Sequence, residues 1–160
     1  MRNVVLGAAG VAAALLGHMV LSRTMAEGTP TLHVFLLAVL FGALTKGEIF
    51  GAVMGTCCGL AADSLSIGVF GLSGFSMTVV GFVAGLAAKR VNVLPFVRNA
   101  AFLYLMTALD LVLWGLWARL TVGQPIGALK NLLLTRPLVT ALVGAAAFAV
   151  FRWWRKRYGR

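Results

Sequence analysis

Charged residues, and acidic ones above all, are scarce in this sequence. Of its 160 residues only 4 are Asp or Glu and 11% are charged, whereas 61% are hydrophobic. A water-soluble domain of this size needs far more polar side chains to cover its surface. The composition therefore argues against a soluble enzyme or binding domain and predicts a fold that is embedded in lipid.

Catalytic and metal-binding motifs are also missing. The sequence has no G-x-S-x-G elbow, no Walker loop and no H-E-x-x-H zinc motif. Its two cysteines, Cys57 and Cys58, are neighbours in an apolar run, which suits neither a disulfide nor a zinc site. His18 and His33 have no Cys, His or Glu companions at ligand spacing. We therefore predict no enzyme, cofactor or metal site, and interpret the cysteines as packing residues and the histidines as packed or interfacial.

Hydrophobic segments, by contrast, follow one another along the whole chain. A helix needs about 20 residues to cross a bilayer, so a chain of this length can hold five or six crossings joined by short connections. We predict an all-α membrane helix bundle with about six transmembrane helices, formed by a single integral membrane domain over residues 1–160. The expected spans are residues 4–21, 32–44, 49–63, 70–88, 96–117 and 137–151.

Two segments leave their position in the bilayer open. Residues 32–44 would form only about 20 Å of helix, which is short for a crossing. This segment is expected to tilt, to thin the bilayer or only to enter it. Residues 121–135 combine helix-breaking residues with an apolar run and are expected to be interfacial or re-entrant. Thr135 is a suitable N-cap for the last span, with Pro137 in its first turn.

The 14 Lys and Arg residues are distributed unevenly between the predicted helix ends. If all six segments cross, ten of these cations lie at one end and four at the other, and the positive-inside rule then places both termini in the cytoplasm. Residues 152–160 form a basic cytoplasmic tail that is attracted to anionic lipids. Its membrane-surface cations are Arg152, Arg155, Lys156 and Arg157. Topology accounts for most of the basicity without nucleic acid, and a protein-binding role for the tail stays open.

Glycines recur every four residues in the third segment and also occur along the fourth. Small residues matter in lipid because helix association there depends on close approach of the backbones. The residues concerned are Gly51, Gly55, Gly59, Gly74, Gly81 and Gly85. They either hold the third and fourth segments together or form a groove that receives a partner transmembrane helix. In the second case, which we take as the working hypothesis, Gly55→Leu would abolish complex formation without unfolding the bundle.

Two aspartates are expected inside the membrane. A carboxylate at membrane depth costs at least about 2.5 kcal/mol and normally points into the bundle toward a partner. Counted from the inner ends of their helices, Asp63 and Asp110 both reach the outer third of the bilayer. Asp110 is expected to face a hydroxyl, a backbone amide or Arg119. Asp63 is expected to end the third helix and organise the turn after it, and a proton relay is the alternative for both.

The residues around Asp63 resemble a known family. The stretch from Gly51 to Asp63, followed by Ser64, Ser66 and Gly71, resembles the core pattern of the MreD family of rod shape-determining proteins. That pattern is a glycine-rich helix, an aspartate, and a glycine eight positions later that opens the next helix. The chain length, the short second segment, Asp110 and the basic tail also fit, so the resemblance covers essentially the whole chain. The adjacent cysteines inside the motif depart from the pattern.

This resemblance implies a non-enzymatic scaffold or regulator in the bacterial inner membrane. MreD-like proteins bind the bitopic protein MreC and thereby influence the peptidoglycan polymerase RodA and its transpeptidase partner, alongside the cytoskeletal MreB. The implied function is control of cell-wall elongation, lateral peptidoglycan synthesis and rod cell shape.

Two other classes of function stay open. The implied fold is similar to the substrate-binding subunits of energy-coupling-factor transporters, so a small-molecule-binding transporter subunit is the alternative, since a fold alone does not fix a function. Few polar side chains are available to line a ligand cavity. An intramembrane enzyme would need the carboxylates of Asp63 and Asp110 within a few ångströms of each other on a water-accessible face.

Overall fold

The computed structural model describes residues 2–24, 33–65, 70–90, 96–122 and 129–158, and these residues form helices with no strand. The six helices in this part of the chain are α1 (Arg2–Thr24), α2 (Val34–Lys46), α3 (Glu48–Leu65), α4 (Leu72–Arg90), α5 (Phe96–Val122) and α6 (Leu129–Tyr158). The predicted all-α fold class is confirmed.

Four of these helices are long and apolar enough to cross a membrane. The stretches concerned are Glu48–Leu65, Leu72–Arg90, Arg98–Thr121 and Pro137–Trp154, from α3, α4, α5 and α6. The apolar stretches described for α1 and α2, Ala9–Met19 and Val34–Lys46, are shorter. The chain therefore has the helices of a membrane protein, and the full set of six crossings stays a prediction.

The shortest helix lies at the centre of the bundle. α2 has 13 residues, and its side chains Leu36, Val39 and Leu40 are fully buried. It packs against α1, α3, α4 and α6. A helix that is apolar on all faces is typical of such an enclosed position. The hydrophobicity of α2 therefore reflects its contacts with the surrounding helices. Because these helices enclose α2, its length of only about 20 Å does not have to match the thickness of the bilayer.

Helix contacts define two ends of the bundle. α3 and α4 run antiparallel, since Gly51 meets Gly81 while Gly59 meets Gly74. α2 and α6 run parallel, and the Phe41 ring packs edge-on against Phe151 near the end of both helices, with ring centroids 4.7 Å apart. One end, hereafter the basic end, carries Lys46, Lys89, Arg90, Arg98, Arg152 and Arg157. The opposite end, hereafter the aspartate end, carries Asp63 and Asp110.

The predicted boundaries near the last helix are wrong. α6 already begins at Leu129, so Pro137 lies inside the helix and not in its first turn, and Thr135 is no N-cap. Neighbouring helices and local adjustment satisfy the backbone groups that such a proline frees, which is why membrane helices tolerate it. The basic tail continues α6 as far as Tyr158, because no glycine or proline occurs within the tail before Gly159. Residues 123–128 lie outside the described residues.

Candidate functional site

The glycine strip of α3 is in direct backbone contact with α4. A Cβ atom added at any of its three glycines would come within 3.0 Å of α4 backbone atoms, closer than real Cβ atoms approach. The pairs are Gly51 with Gly81, Gly55 with Met77, and Gly59 with Gly74, and Gly85 of α4 meets the backbone of Glu48 in the same way. Only glycine permits this separation of the two helices.

These contacts overturn the hypothesis that the strip receives a partner helix. All six glycines, Gly51, Gly55, Gly59, Gly74, Gly81 and Gly85, are buried between α3 and α4. α4 fills the space that a second chain would need. The other interpretation, an internal contact between the third and fourth segments, is right. Any partner helix would therefore have to bind another surface, and Gly55→Leu must disturb the bundle itself.

Asp63 caps the next helix and does not end its own. Its carboxylate accepts hydrogen bonds from the backbone N–H groups of Gly71 at 2.9 Å, Ser73 at 3.1 Å and Gly74 at 3.2 Å. The first N–H groups of a helix have no partner within it, and the helix dipole favours negative charge there. Gly71 has a φ of 97° and no side chain of its own to cap α4. Asp63 supplies the missing acceptor from the preceding helix.

The predicted role of Asp63 in the following turn is only partly visible. α3 continues for two residues beyond Asp63, to Leu65. The hydroxyl of Ser64 donates to the Leu60 carbonyl of its own helix at 2.8 Å. Ser66 lies outside the described residues. The connection between α3 and α4 is thus organised through the cap on Gly71 and its neighbours.

Asp110 belongs to a largely buried group of polar residues on α4, α5 and α6 and just before α2. Its carboxylate accepts a hydrogen bond from the hydroxyl of Ser76 in α4, and that hydroxyl also lies 3.1 Å from the Asp110 carbonyl oxygen. His33 beside α2 interacts electrostatically with Asp110, and its backbone N–H donates to the Thr140 hydroxyl of α6 at 3.5 Å. We call His33, Ser76, Asp110 and Thr140 the polar cluster. Of the partners expected for Asp110, the structure supplies the hydroxyl.

Both aspartates hold the first turns of α4. Asp63 accepts hydrogen bonds from the backbone N–H groups of Gly71, Ser73 and Gly74. Asp110 binds the hydroxyl of Ser76 further along α4. The two aspartates are only 6% exposed and lie at the same end of the bundle, in keeping with the equal depth expected from the sequence. Buried polar groups in lipid need such partners. The arrangement fixes α4 against α3 and α5.

Ser76 and Thr140 are the site residues that sequence reasoning missed. Both are fully buried, and both stand in apolar helices where a hydroxyl is not needed for packing. An intramembrane aspartate needs a hydrogen-bond donor on a neighbouring helix, so the hydroxyl groups of α4 are candidates for this partner. Thr78 of α4 instead bonds the Gly74 carbonyl and the Thr56 hydroxyl. The sequence alone does not say which hydroxyl meets Asp110.

His18 and the two cysteines lie apart from these contacts, whereas His33 belongs to the polar cluster. His18 of α1 packs against Phe35 with ring centroids 5.3 Å apart. Cys58 is fully buried in the core, as expected for a packing residue, but Cys57 is exposed, which corrects the interpretation for that residue. Among the described residues, no group of three His, Cys, Asp or Glu side chains is placed to hold a metal ion.

At the basic end, an ion pair joins α3 and α4, and a cation–aromatic contact lies within α6. Lys89 of α4 lies 2.5 Å from the Glu48 carboxylate of α3. The Arg157 guanidinium sits 5.1 Å from the centre of the Trp153 ring. Arg152 is half-buried, and the side chains of the other two predicted tail cations, Arg155 and Lys156, lie outside the described residues. Exposed tryptophans and cations are typical of helix ends at a membrane surface.

An apolar groove of about 740 Å³ opens between α1 and α3 in the half of the bundle nearest the basic end. Its α1 wall includes Gly7, Val11 and Leu15, and its α3 wall includes Ile49, Val53 and Cys57. Small residues such as Gly7 leave the space between the two helices unfilled. Lys46, at the end of α2, is the charged residue among the described residues that line the groove.

Comparison with known proteins gives no counterpart: no family model, no curated protein and no solved structure matches this chain.

Proposed function

We propose that this chain is an MreD-like, non-enzymatic scaffold of the bacterial cell-wall elongation complex, located in the inner membrane with both termini in the cytoplasm. One observation carries the proposal. The residues that resemble the MreD pattern form a single structural unit, in which the glycines bring α3 and α4 together and Asp63 caps α4 through Gly71. The spacing of eight between aspartate and glycine thereby acquires a physical reason.

The same unit supports a scaffold over a catalyst. Asp63 binds backbone amides and Asp110 binds a serine hydroxyl, so each carboxylate is engaged in holding helices together. A rigid α3–α4 pair suits a protein that presents a fixed surface to partners. Its proposed partner is MreC, and through MreC the polymerase RodA, its transpeptidase partner and MreB. The basic tail with its exposed tryptophans adds attraction to anionic lipids.

MreC must bind on the outer surface of the bundle, because α4 fills the glycine strip. That surface offers large exposed apolar side chains along α5 and α6. Among them are Leu105, Val112, Leu116, Leu138, Leu142 and Val150. Lipid tails and the apolar surface of another transmembrane helix are similarly hydrophobic. An MreC helix can therefore replace lipid at this surface without exposing polar groups to the bilayer.

The second proposal, a small-molecule-binding subunit of a membrane transporter with a fold like that of energy-coupling-factor substrate-binding subunits, has one observation in its favour. The groove between α1 and α3 has the size of a ligand site, for which volumes of about 300 to 1,000 Å³ are usual. Its described lining, however, offers few polar groups to orient a water-soluble substrate. The scaffold is therefore the function that the site supports best.

Co-purification tests the scaffold proposal. The tagged chain is solubilised in mild detergent from its native membrane, and proteins recovered in stoichiometric amount are identified by mass spectrometry. The proposal predicts an MreC-like bitopic protein. Recovery of ATPase subunits and a transmembrane coupling subunit would instead identify a transporter and overturn it. A strain that carries the tag on an unrelated inner-membrane protein controls for passive capture.

A further inference from the structure

The groove between α1 and α3 has the features of a lipid site, and we propose that it binds the acyl chain of one anionic phospholipid whose phosphate lies at Lys46. This inference concerns a surface that the scaffold proposal does not use. The tests of this inference do not depend on which protein binds the chain.

The position and length of the groove match one leaflet of a bilayer. Along α3 the groove extends from Ile49 to Cys57, which at 1.5 Å per residue is about 12 Å. Half of the hydrocarbon core measures about 15 Å. A transmembrane helix would need a surface that continues through both leaflets, whereas an acyl chain entering from the basic end needs only this depth.

The walls of the groove suit a hydrocarbon chain. Ile49 and Val53 remain 74% and 57% exposed, because none of the described helices covers them. On the opposite wall, Gly7 and Ala12 present almost no side chain toward the space. The floor is formed by Phe50 and Met54, flexible or flat groups that adapt to an apolar occupant. An acyl chain can therefore lie lengthwise between the two helices.

The rim supplies charge complementarity. Lys46 is exposed, lines the groove, and makes no hydrogen bond or ion pair with the described residues. The carboxylate of Glu48, which would repel a phosphate, is held by Lys89 on the α4 side of α3. The Lys46 ammonium is thus available to a phosphate at the level where the helix ends meet the head groups. A zwitterionic lipid gains less from this cation than an anionic one.

Photo-crosslinking and native mass spectrometry test the proposal on the full chain. The purified protein is placed in phosphatidylcholine vesicles that contain phosphatidylglycerol or phosphatidylcholine with a diazirine in one acyl chain. We expect the phosphatidylglycerol probe to label residues between Ile49 and Cys57 preferentially. We also expect one phosphatidylglycerol to remain bound in the gas phase after other lipids dissociate.

Two variants with matched controls locate the site. Lys46→Gln should weaken phosphatidylglycerol retention about fivefold, whereas Arg90→Gln, which removes an exposed charge from the same end, should not. Val53→Trp should fill the groove and abolish labelling, whereas Val112→Trp on the exposed face of α5 should not. All four positions are exposed, so the bundle should fold in each variant.

Three results would overturn the proposal. The first is equal labelling of the groove by both probes, which would mean ordinary contact with surrounding lipid. The second is retention that Lys46→Gln and Arg90→Gln change equally, which would mean general attraction to the basic end. The third is crosslinking of Cys57 to a co-purified transmembrane protein, which would mean that a helix occupies the groove.

Discussion

The carboxylate of Asp63 in α3 accepts a hydrogen bond of 2.9 Å from the backbone N–H of Gly71, eight residues later in the chain. Gly71 precedes α4 and has no side chain, so a residue of the previous helix supplies the cap. The cap formed by Asp63 and the glycine strip of α3 both act on the contact between α3 and α4. Together they fix both the distance between α3 and α4 and the point at which α4 begins.

The cap predicts that Asp63→Ala destabilises the bundle. The change leaves buried N–H groups of α4 without their acceptor, and we expect the free energy of unfolding to fall by about 2 kcal/mol. Asp63→Asn should lose less stability, because the amide oxygen of asparagine can still accept hydrogen bonds from these N–H groups. The measurement is SDS-induced unfolding in mixed micelles followed by circular dichroism. Ser64→Ala, next in the chain and exposed, is the control; an equal loss in both variants would contradict the cap.

The α3–α4 contact predicts opposite results for the same substitution at two glycines. Gly55→Ala places a methyl group against the Met77 backbone and should cost about 1 to 3 kcal/mol, because the helices must separate. The methyl group of Gly7→Ala would make ordinary contacts, 3.6 Å from the Met54 sulfur and 3.7 Å from the Phe50 ring. This change should be neutral or stabilising by up to about 1 kcal/mol, since alanine favours helix. Thermal unfolding in detergent compares the two variants.

Gly55→Leu separates the internal contact from a partner groove. The internal contact predicts loss of the folded bundle, and with it loss of every interaction of the protein. A variant that unfolds like the wild type but no longer binds its partner would restore the hypothesis that the strip receives an external helix.

The polar cluster predicts energetic coupling between α4 and α5. Ser76→Ala and Asp110→Asn should each destabilise the protein, and the double variant should lose less than the sum, with a coupling energy of about 1 to 2 kcal/mol. A double-mutant cycle of SDS-induced unfolding measures this value. Thr121→Ala with Asp110→Asn is the control cycle, because the Thr121 hydroxyl bonds its own helix at the exposed end of α5. Additive losses at Ser76 and Asp110 would argue against their contact.

The charge distribution predicts the orientation of the bundle. A cysteine at Arg157, at the basic end, should be protected from an impermeant maleimide in intact cells, whereas one at Arg119, beyond Asp110 on α5, should be labelled. Both should react after permeabilisation. Replacement of Cys57 and Cys58 by alanine provides the background. Labelling in the reverse pattern would place the termini outside the cytoplasm.

Periodicity and charge were enough to predict the helices but not which faces meet. The glycines of the third segment predicted a face of close approach, and the face exists. Whether α4 or another chain covers it depends on where the short connection directs α4, and four-residue spacing does not contain that information. The same limit explains why Ser76 could not be identified from the sequence. Several residues of α4 carry a hydroxyl group, and the rotation of α4 about its axis determines which of them faces Asp110.

Local sequence signals predicted helix boundaries and membrane crossings poorly where contacts with other helices outweigh the intrinsic preferences of the residues. Pro137 predicted a helix start, yet the last helix begins eight residues earlier, since membrane helices absorb a proline when other groups satisfy the backbone. The second segment looked too short to cross, and the structure shows it enclosed by four helices. Composition alone cannot distinguish contact with lipid from contact with protein.

The most direct test of the scaffold proposal is cell shape after depletion of this chain in its native bacterium, measured by phase-contrast microscopy with a fluorescent label for new peptidoglycan. The scaffold proposal predicts that rods widen and become round as lateral incorporation of peptidoglycan is lost. Wild-type protein and Ser64→Ala should restore the rod shape, whereas Gly55→Leu should not. Depleted cells that keep their width and their lateral peptidoglycan synthesis would contradict it.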